Sequence, residues 1–367
     1  MSKELIFNPD KLRAARLMKG YSLQELADQI GNKVTKQAIN KYELGEVVPD
    51  NDMIGILATA LNVAANFFCR KSNVSLGTLN FRKLQDLTAK DKNIVIEQTK
   101  DLLERYIEVE QLLGISELFT NPIKDRIIKD VNDVEDVSEI IRLEWRLGFD
   151  AISNVVDLLE EHHIKFIEVE SDDKFDGCQT LIEEKMPVIV LNKNKIKTCD
   201  RKRFTALHEL GHLLLNFDST IDEKTEERLC NRFAGAMLLH KNAAVKAFGE
   251  KRNNITMQEL GIIKMQYGIS IAALLYRLKD LNIISANFYK NFMFMLTITG
   301  QRKVESIVYT GKESGYRFFQ LLFRAISEKK IDFAQAAEIS GFSENEIREA
   351  IFPTHGNQGL LAPAICG

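Results

Sequence analysis

No run of apolar residues in this chain approaches the length of a membrane span. Cysteine is sparse and unpaired in pattern: five residues, at 69, 178, 199, 230 and 366, with no CxxC. That argues against a disulfide framework and for reduced thiols in a cytoplasmic protein. An excess of charge of one sign is also missing. Forty-nine Lys and Arg against 52 Asp and Glu leave a net charge of -3, so any DNA-binding charge must be local and no general pull toward membranes is expected. Met1–Phe7 carries Glu4 and no apolar core follows, so a signal peptide is not expected. What is present is length and apolar content: 367 residues, 45% hydrophobic, suit two or three domains with separate cores.

The chain is organised around Arg203–Asn216, in which no proline occurs. Phe204, Ala206, Leu207, Leu210, Leu213, Leu214 and Leu215 lie nearly all round it, which predicts a buried helix. Into this helix are set His208, Glu209 and His212. Burying them costs several kcal/mol each unless they find partners. His208 and His212 are four apart and share one helix face. Two imidazoles at that spacing can hold one metal ion, with Glu209 beside the first as general base. A pair of hydrogen-bonded core histidines is the alternative. A helix is expected over 223–240, and its start offers Glu223, Glu226 and Glu227 as a third ligand. At least two of these three must then be exposed charges favouring the helix N-terminus. Gly211 costs about 1 kcal/mol relative to Ala inside a helix, so close approach of another backbone, such as a strand, is expected there.

At the other end, five short helices are expected, over 9–19, 23–30, 36–44, 51–61 and 64–70. Asn8 with Pro9, Ser22 with Glu25, and Thr35 mark helix starts, and Gly20 and Gly45 mark ends. Two helices across a short turn, followed by a polar third, describe a helix-turn-helix. Leu12-Arg13-Ala14-Ala15-Arg16, Ser22–Ala27, Thr35–Gly45 and Pro49 together resemble the lambda-repressor-like (XRE) DNA-binding domains. That resemblance implies double-stranded DNA, an operator, as partner. Thr35, Lys36, Gln37, Asn40 and Lys41 would read it, since Gln and Asn can bridge adenine edges and Lys can reach guanine or phosphate. Ala38, Ile39 and Tyr42 would face the core. A small helical interaction module is the alternative. Weak basicity suggests dimerisation to gain specificity.

Between these regions, 91–113 is helical in pattern, with Val95, Thr99, Leu102, Tyr106, Val109 and Leu113 forming a heptad seam. The seam makes either a homodimeric coiled coil or a helix docked on its own chain. Arg82, Lys83 and Lys90 either lie near DNA or form a basic connector, and 124–136 reads as a hinge or a further helix. Helices are expected at 138–147 and 151–162, with His162 and His163 as a polar helix end. Strands are expected at 164–169, 179–182 and 186–191. Beyond 290, a strand or buried run is expected at 292–298 and helices at 313–328, 333–340 and 344–351. The last two form a packing module, and 353–367 is expected to be disordered.

A second resemblance covers about residues 138–285. His208-Glu209-Leu210-Gly211-His212, then Glu227 and Asn231–Leu239, is similar to the ImmA/IrrE metallopeptidases. So are Trp145–Gly148, Ile164–Phe166 and Tyr267–Leu278. The resemblance implies a zincin-like fold with zinc as the only cofactor. It also implies a gluzincin-like ligand set in which His208, His212 and Glu227 hold the metal and Glu209 is catalytic. His240 departs from the proline common at that point and puts the local helix end in question. An oxyanion stabiliser could come from Tyr267, Tyr276 or Arg277. The expected architecture is multidomain and mainly α with a small α+β part. Residues 1–74 form the helix-turn-helix domain and 75–135 a helical connector. Residues 136–290 form the peptidase domain with a small sheet and the HExxH helix, and 291–367 a helical C-terminal region. The expected function is a cytoplasmic DNA-binding regulator carrying a zinc-dependent endopeptidase. It would cleave a repressor or partner regulator in stress response or mobile-element control. The alternatives are a non-catalytic regulator or antitoxin with a structural or sensory metal site, and a peptidase whose N-terminal domain only localises it through protein contacts.

Overall fold

The computed structural model describes residues 6–70, 87–183 and 185–352. The basic stretch at 81–86 and the tail at 353–367 lie outside the described residues. Four helices open the chain: α1 (Pro9–Met18), α2 (Leu23–Gln29), α3 (Lys36–Glu43) and α4 (Asn51–Leu61). Each begins at a side chain that accepts a first-turn amide: Asn8 from Asp10, Ser22 from Glu25, Thr35 from Ala38 and Asp50 from Met53. Such caps contribute about 1 kcal/mol each. The expected fifth α-helix is instead a 3-10 turn, Ala65–Cys69. The segment is too short to propagate an α-helix, and burial of Phe67 and Phe68 sets its course. Leu12, Leu26, Ile39, Leu57 and Leu61 fill the core of this unit. Arg16 then clamps α1 to α3 through a two-pronged pair with Glu43, at 2.6 and 2.7 Å.

Helix α5 (Ala89–Leu112) follows. Its Val95 and Leu103 enter a core with Ile167, Val169, Val188 and Val190. Its Tyr106 and Val109 enter another with Phe318, Leu322 and Ile339. The heptad seam is therefore covered by the chain's own strands and C-terminal helices. Of the two readings of the seam, the helix docked on its own chain holds and the coiled coil does not: an apolar stripe at heptad spacing fits a mixed surface of the same chain as well as a second helix. Lys11 pairs with Glu104, and Arg70 with Glu108 at 2.9 Å, tying α5 to the N-terminal unit.

In the region 124–136 the further-helix alternative holds for the second half, from Val131 on. The region holds a two-residue strand, β1 (Ile127–Ile128), and the start of α6 (Val131–Glu144), capped by Asp130 and Asp133. Next come α7 (Val155–Glu161) and the strands β2 (Lys165–Val169), β3 (Gly177–Ile182) and β4 (Met186–Asn192). Their order is β2-β4-β3, with β2 parallel and β3 antiparallel to β4. Helix α8 (Cys199–Leu214), carrying the two histidines, lies against one face of this sheet, where Phe166, Ile189 and Leu191 meet Leu207 and Leu210. Helix α5 covers the other face, so the strands are buried on both sides, as their continuous apolar runs require. Strand β5 (Asn216–Phe217) returns to pair with β1; pairs this short leave no periodic signal. Helix α9 (Glu223–Leu238) crosses α8 at Gly211. A Cβ at that glycine would meet Phe233 Cδ1 at 3.2 Å and Cys230 Cα at 3.4 Å. The close neighbour is thus a helix, not the expected strand.

Helices α10 (Lys241–Phe248), α11 (Met257–Tyr267), α12 (Ile271–Asp280) and α13 (Ala286–Ile298) complete the largest core, which runs from Ile123 to Leu296. The run 292–298 is helical rather than a strand: Phe288, Phe292 and Leu296 recur every fourth residue and pack onto that core. Residues 299–316 form an irregular strap. Glu313 is not the start of a helix, because it is drawn into the core to meet Arg203. The helix there, α14 (Arg317–Ser327), begins four residues later, and α15 (Phe333–Ser340) and α16 (Glu344–Ile351) follow. These last helices pack on α5, as a packing module would.

Candidate metal centre and DNA-facing helix

Helix α8 is buried along most of its length, including His208 at 9% exposure and Glu209 at 2%. Two charged networks anchor it. Asp200 in its first turn receives Lys264 Nζ at 2.6 Å, and Lys264 also reaches Glu305 of the strap. Arg203 pairs with Glu313, both fully buried, and donates to the carbonyls of Ile152 and Tyr267. These ties leave the opposite face of α8 turned to α9.

Because α8 and α9 cross closely at Gly211, the start of α9 lies over the two histidines. His208 Nε2 is 3.2 Å from His212 Nε2 and 3.2 Å from Glu227 Oε2, and His212 Nε2 is 3.1 Å from Glu227 Oε1. A tetrahedral zinc site with ligand bonds of about 2.0 Å requires donor separations of about 3.3 Å. The three donors present therefore fit a zinc ion. The three candidate carboxylates separate cleanly. Glu227 joins the histidines. Glu226 takes the other side of His212, its Oε1 3.1 Å from Nδ1. Glu223 lines the cleft outside the cluster. A carboxylate on the far ring nitrogen sets the tautomer that leaves Nε2 free to ligate.

The cluster lies in a cleft of about 1260 Å3. Its lining includes Thr205, Glu209 and Asn231 from the helices, and Gly177 and Gln179 from β3. Among the described residues strand β3 is at the edge of its sheet, and its Gly177 and Gln179 line the cleft. At the other end of the chain, Thr35, Lys36, Gln37, Asn40 and Lys41 are all exposed along α3, while Ile39 is buried and Ala38 and Tyr42 are half-buried. The residues expected to read DNA thus share one solvent face.

Residues 12–68 match the family model described as helix-turn-helix, and residues 160–279 match the one described as IrrE N-terminal-like domain, a peptidase family. The chain joins a helix-turn-helix domain to an IrrE-like peptidase domain. A relative, the SPbeta prophage-derived uncharacterized HTH-type transcriptional regulator YonR of Bacillus subtilis (strain 168), is 36% identical over 61 residues. The match takes in 17% of this chain and 55% of that protein, so it spans about half the relative's length. Among the described residues no helix is long and apolar enough to cross a membrane.

Within the IrrE-like domain, the oxyanion candidates fall in different places. Tyr267 does not line the cleft; its carbonyl serves Arg203. Arg277 is buried and held by Glu135 and the Leu239 carbonyl. Tyr276 lines an adjoining cavity. His240, the departure from the family pattern, caps α10: its Nδ1 accepts the Asn242 amide at 3.1 Å. It therefore sits at the junction between α9 and α10, just past Leu239, the C-cap of α9. His162 caps the C-terminal end of α7, the polar helix end expected, and is half-buried where it stacks on Trp145 with centroids 4.2 Å apart. Sequence reasoning missed the Arg203–Glu313 pair and the Glu226–His212 contact. Arg203 carried a signal, a charge within an otherwise buried helix, whereas Glu313, 110 residues away, carried none.

Proposed function

We propose that this protein is a transcriptional regulator whose helix-turn-helix domain binds an operator and whose IrrE-like domain is a zinc-dependent endopeptidase of narrow specificity. Its substrate is another regulator, a repressor or partner protein, in stress response or mobile-element control. The domains divide near residues 1–74, 75–135, 136–290 and 291–367. The observation that carries the reading is the convergence of His208, His212 and Glu227 beside Glu209 in an open cleft. Bound zinc would supply Lewis acidity, polarising the scissile carbonyl and making water nucleophilic near neutral pH.

The chain's own residues supply the rest. Glu209 accepts a proton from the attacking water and passes it to the leaving amine. Glu226 orients His212. An extended substrate segment pairs with the open edge of β3, where backbone hydrogen bonds hold it regardless of side chain. Thr35, Lys36, Gln37, Asn40 and Lys41 contact the operator. A homodimer on a palindromic operator would form through a surface other than the α5 seam, which the chain itself covers.

The test compares the proteomes of cells carrying the native protein and its Glu209→Gln variant, alongside metal analysis of both and of His208→Ala. We expect zinc in the first two, none in His208→Ala, and one regulator that stays intact only with Glu209→Gln. Identical proteomes and unchanged regulation would refute the peptidase reading and leave a structural or sensory metal site.

A further inference from the structure

Phe204, Lys224, Glu227 and Asn231 line the catalytic cleft and also a second cavity, of about 380 Å3, that opens beside it. Its other wall is formed by Ala273, Tyr276 and Arg277 of α12. The size is that of a small-ligand pocket. Of the charges around it, Arg277, Arg232 and Asp280 are engaged, while Lys224 and Arg228 line it as well. Glu135 holds Arg277 and also Arg232, the latter at 2.8 Å, and Arg232 lies 3.5 Å from Asp280. Lys279 sits over the Tyr276 ring at 3.7 Å, and Tyr276 meets Tyr289 edge-on. Tyr276 is thereby held in place, and the surface offered to an occupant is mainly apolar. Gly235 also lines the cavity, and a Cβ there would meet Arg277 Cδ at an ordinary contact distance of 3.5 Å.

We propose that this cavity selects the substrate by taking one bulky apolar side chain, from leucine to phenylalanine in size, next to the bond to be cut. The proposal rests on the peptidase reading above. Because Glu227 borders both spaces, a side chain entering the cavity leaves its own backbone beside the ligand cluster. A charged side chain is disfavoured, since it would lose water against a mainly apolar surface. A methyl group leaves most of the cavity empty.

The test measures binding by calorimetry to the zinc-loaded full-length protein, using hydroxamates, which chelate zinc. Acetohydroxamate reports the metal site alone; hydroxamates carrying alanyl, leucyl and phenylalanyl side chains report the cavity. We expect the leucyl and phenylalanyl compounds to bind roughly ten- to hundredfold tighter than the alanyl one. Ala273→Trp, which fills the cavity, should reduce that preference to within about threefold. Tyr276→Ala, which enlarges it, should shift the preference toward a naphthyl side chain. Zinc content controls for the folding of each variant. Equal binding of the three side chains to the native protein, or a preference that survives both substitutions, overturns the proposal. If the protein holds no zinc and even acetohydroxamate fails to bind, the metallopeptidase reading itself fails and the proposal falls with it.

Discussion

Replacing Glu313 by alanine should unfold this protein at a much lower temperature, although Glu313 is not a cleft residue. Its carboxylate pairs with Arg203, both side chains at 0% exposure, and accepts the Val155 amide at 2.9 Å. Removing one partner of a buried ion pair costs about 3–5 kcal/mol. A buried amide left without an acceptor adds about 1–3 kcal/mol. Some of this is offset, because Arg203 keeps the Ile152 carbonyl at 2.6 Å and Asn154 still accepts the Val156 amide at 3.0 Å. The net is about 4 kcal/mol, or roughly 8–16 °C in melting temperature for a domain of this size. Thermal melts of the purified protein measure it. Glu313→Gln, which keeps an acceptor for Val155, should lose less. The double substitution Arg203→Met with Glu313→Met should recover most of the loss, since an apolar pair of similar volume is often no worse than a buried ion pair. A Glu313→Ala protein melting within about 2 °C of the parent, or a double variant worse than the single one, would refute the anchoring argument.

Three further outcomes follow from other contacts. Glu226→Ala should weaken zinc affinity by roughly 10- to 100-fold, toward the lower end because Glu226 is partly exposed, with Glu226→Gln between the two; competition with a chromogenic chelator measures it. Glu160, packed among Lys165, Asp157, Tyr106 and Arg317, is pushed by burial up to about 7 from 4.5. A carboxyl whose folded value is raised stabilises the fold while protonated, so stability should fall as pH rises from about 4.5 to about 7. Melts of Glu160→Gln across that window should lack this loss, and parallel curves would contradict it. Gln37→Ala and Asn40→Ala should each cost about 1–3 kcal/mol of discrimination at one operator position; binding assays on single-base operator variants test this, and unchanged sequence preference would remove α3 as the reader.

Local signals carried the fold wherever an element is capped and periodic. Ser22 with Glu25 and Thr35 each open a helix where their side chains promise, and 333–340 and 344–351 are helices with those bounds. The sequence is weakest where tertiary contacts set the course. The heptad stripe of α5 specifies an apolar partner but not whose, and the answer is a strand face and a helical module of the same chain. The run 292–298 is apolar enough for either period; only its packing onto the core through Phe292 and Leu296 shows which face it buries. The strap at 299–316 has no period at all, and its two inward-drawn carboxylates, the half-buried Glu305 and the buried Glu313, look like ordinary surface charge in sequence.

The candidate metal cluster divides the same way. His208 and His212 are legible because both lie on one helix, where spacing alone places them on one face. Glu226 and Glu227 are not separable by that argument. They are adjacent on α9 and point about 100° apart, so which of them meets the Nε2 atoms depends on how α9 is rotated against α8. That rotation is set by the crossing at Gly211, where Cys230 and Phe233 come within 3.4 Å of the missing Cβ. A large side chain at Gly211, such as leucine, would push α9 away and pull Glu226 and Glu227 from the histidines together. Its zinc affinity should then fall by more than that of Glu226→Ala, since one substitution would disturb both a ligand and the carboxylate that orients another. Equal affinity in Gly211→Leu and the native protein would mean that the crossing does not position the site.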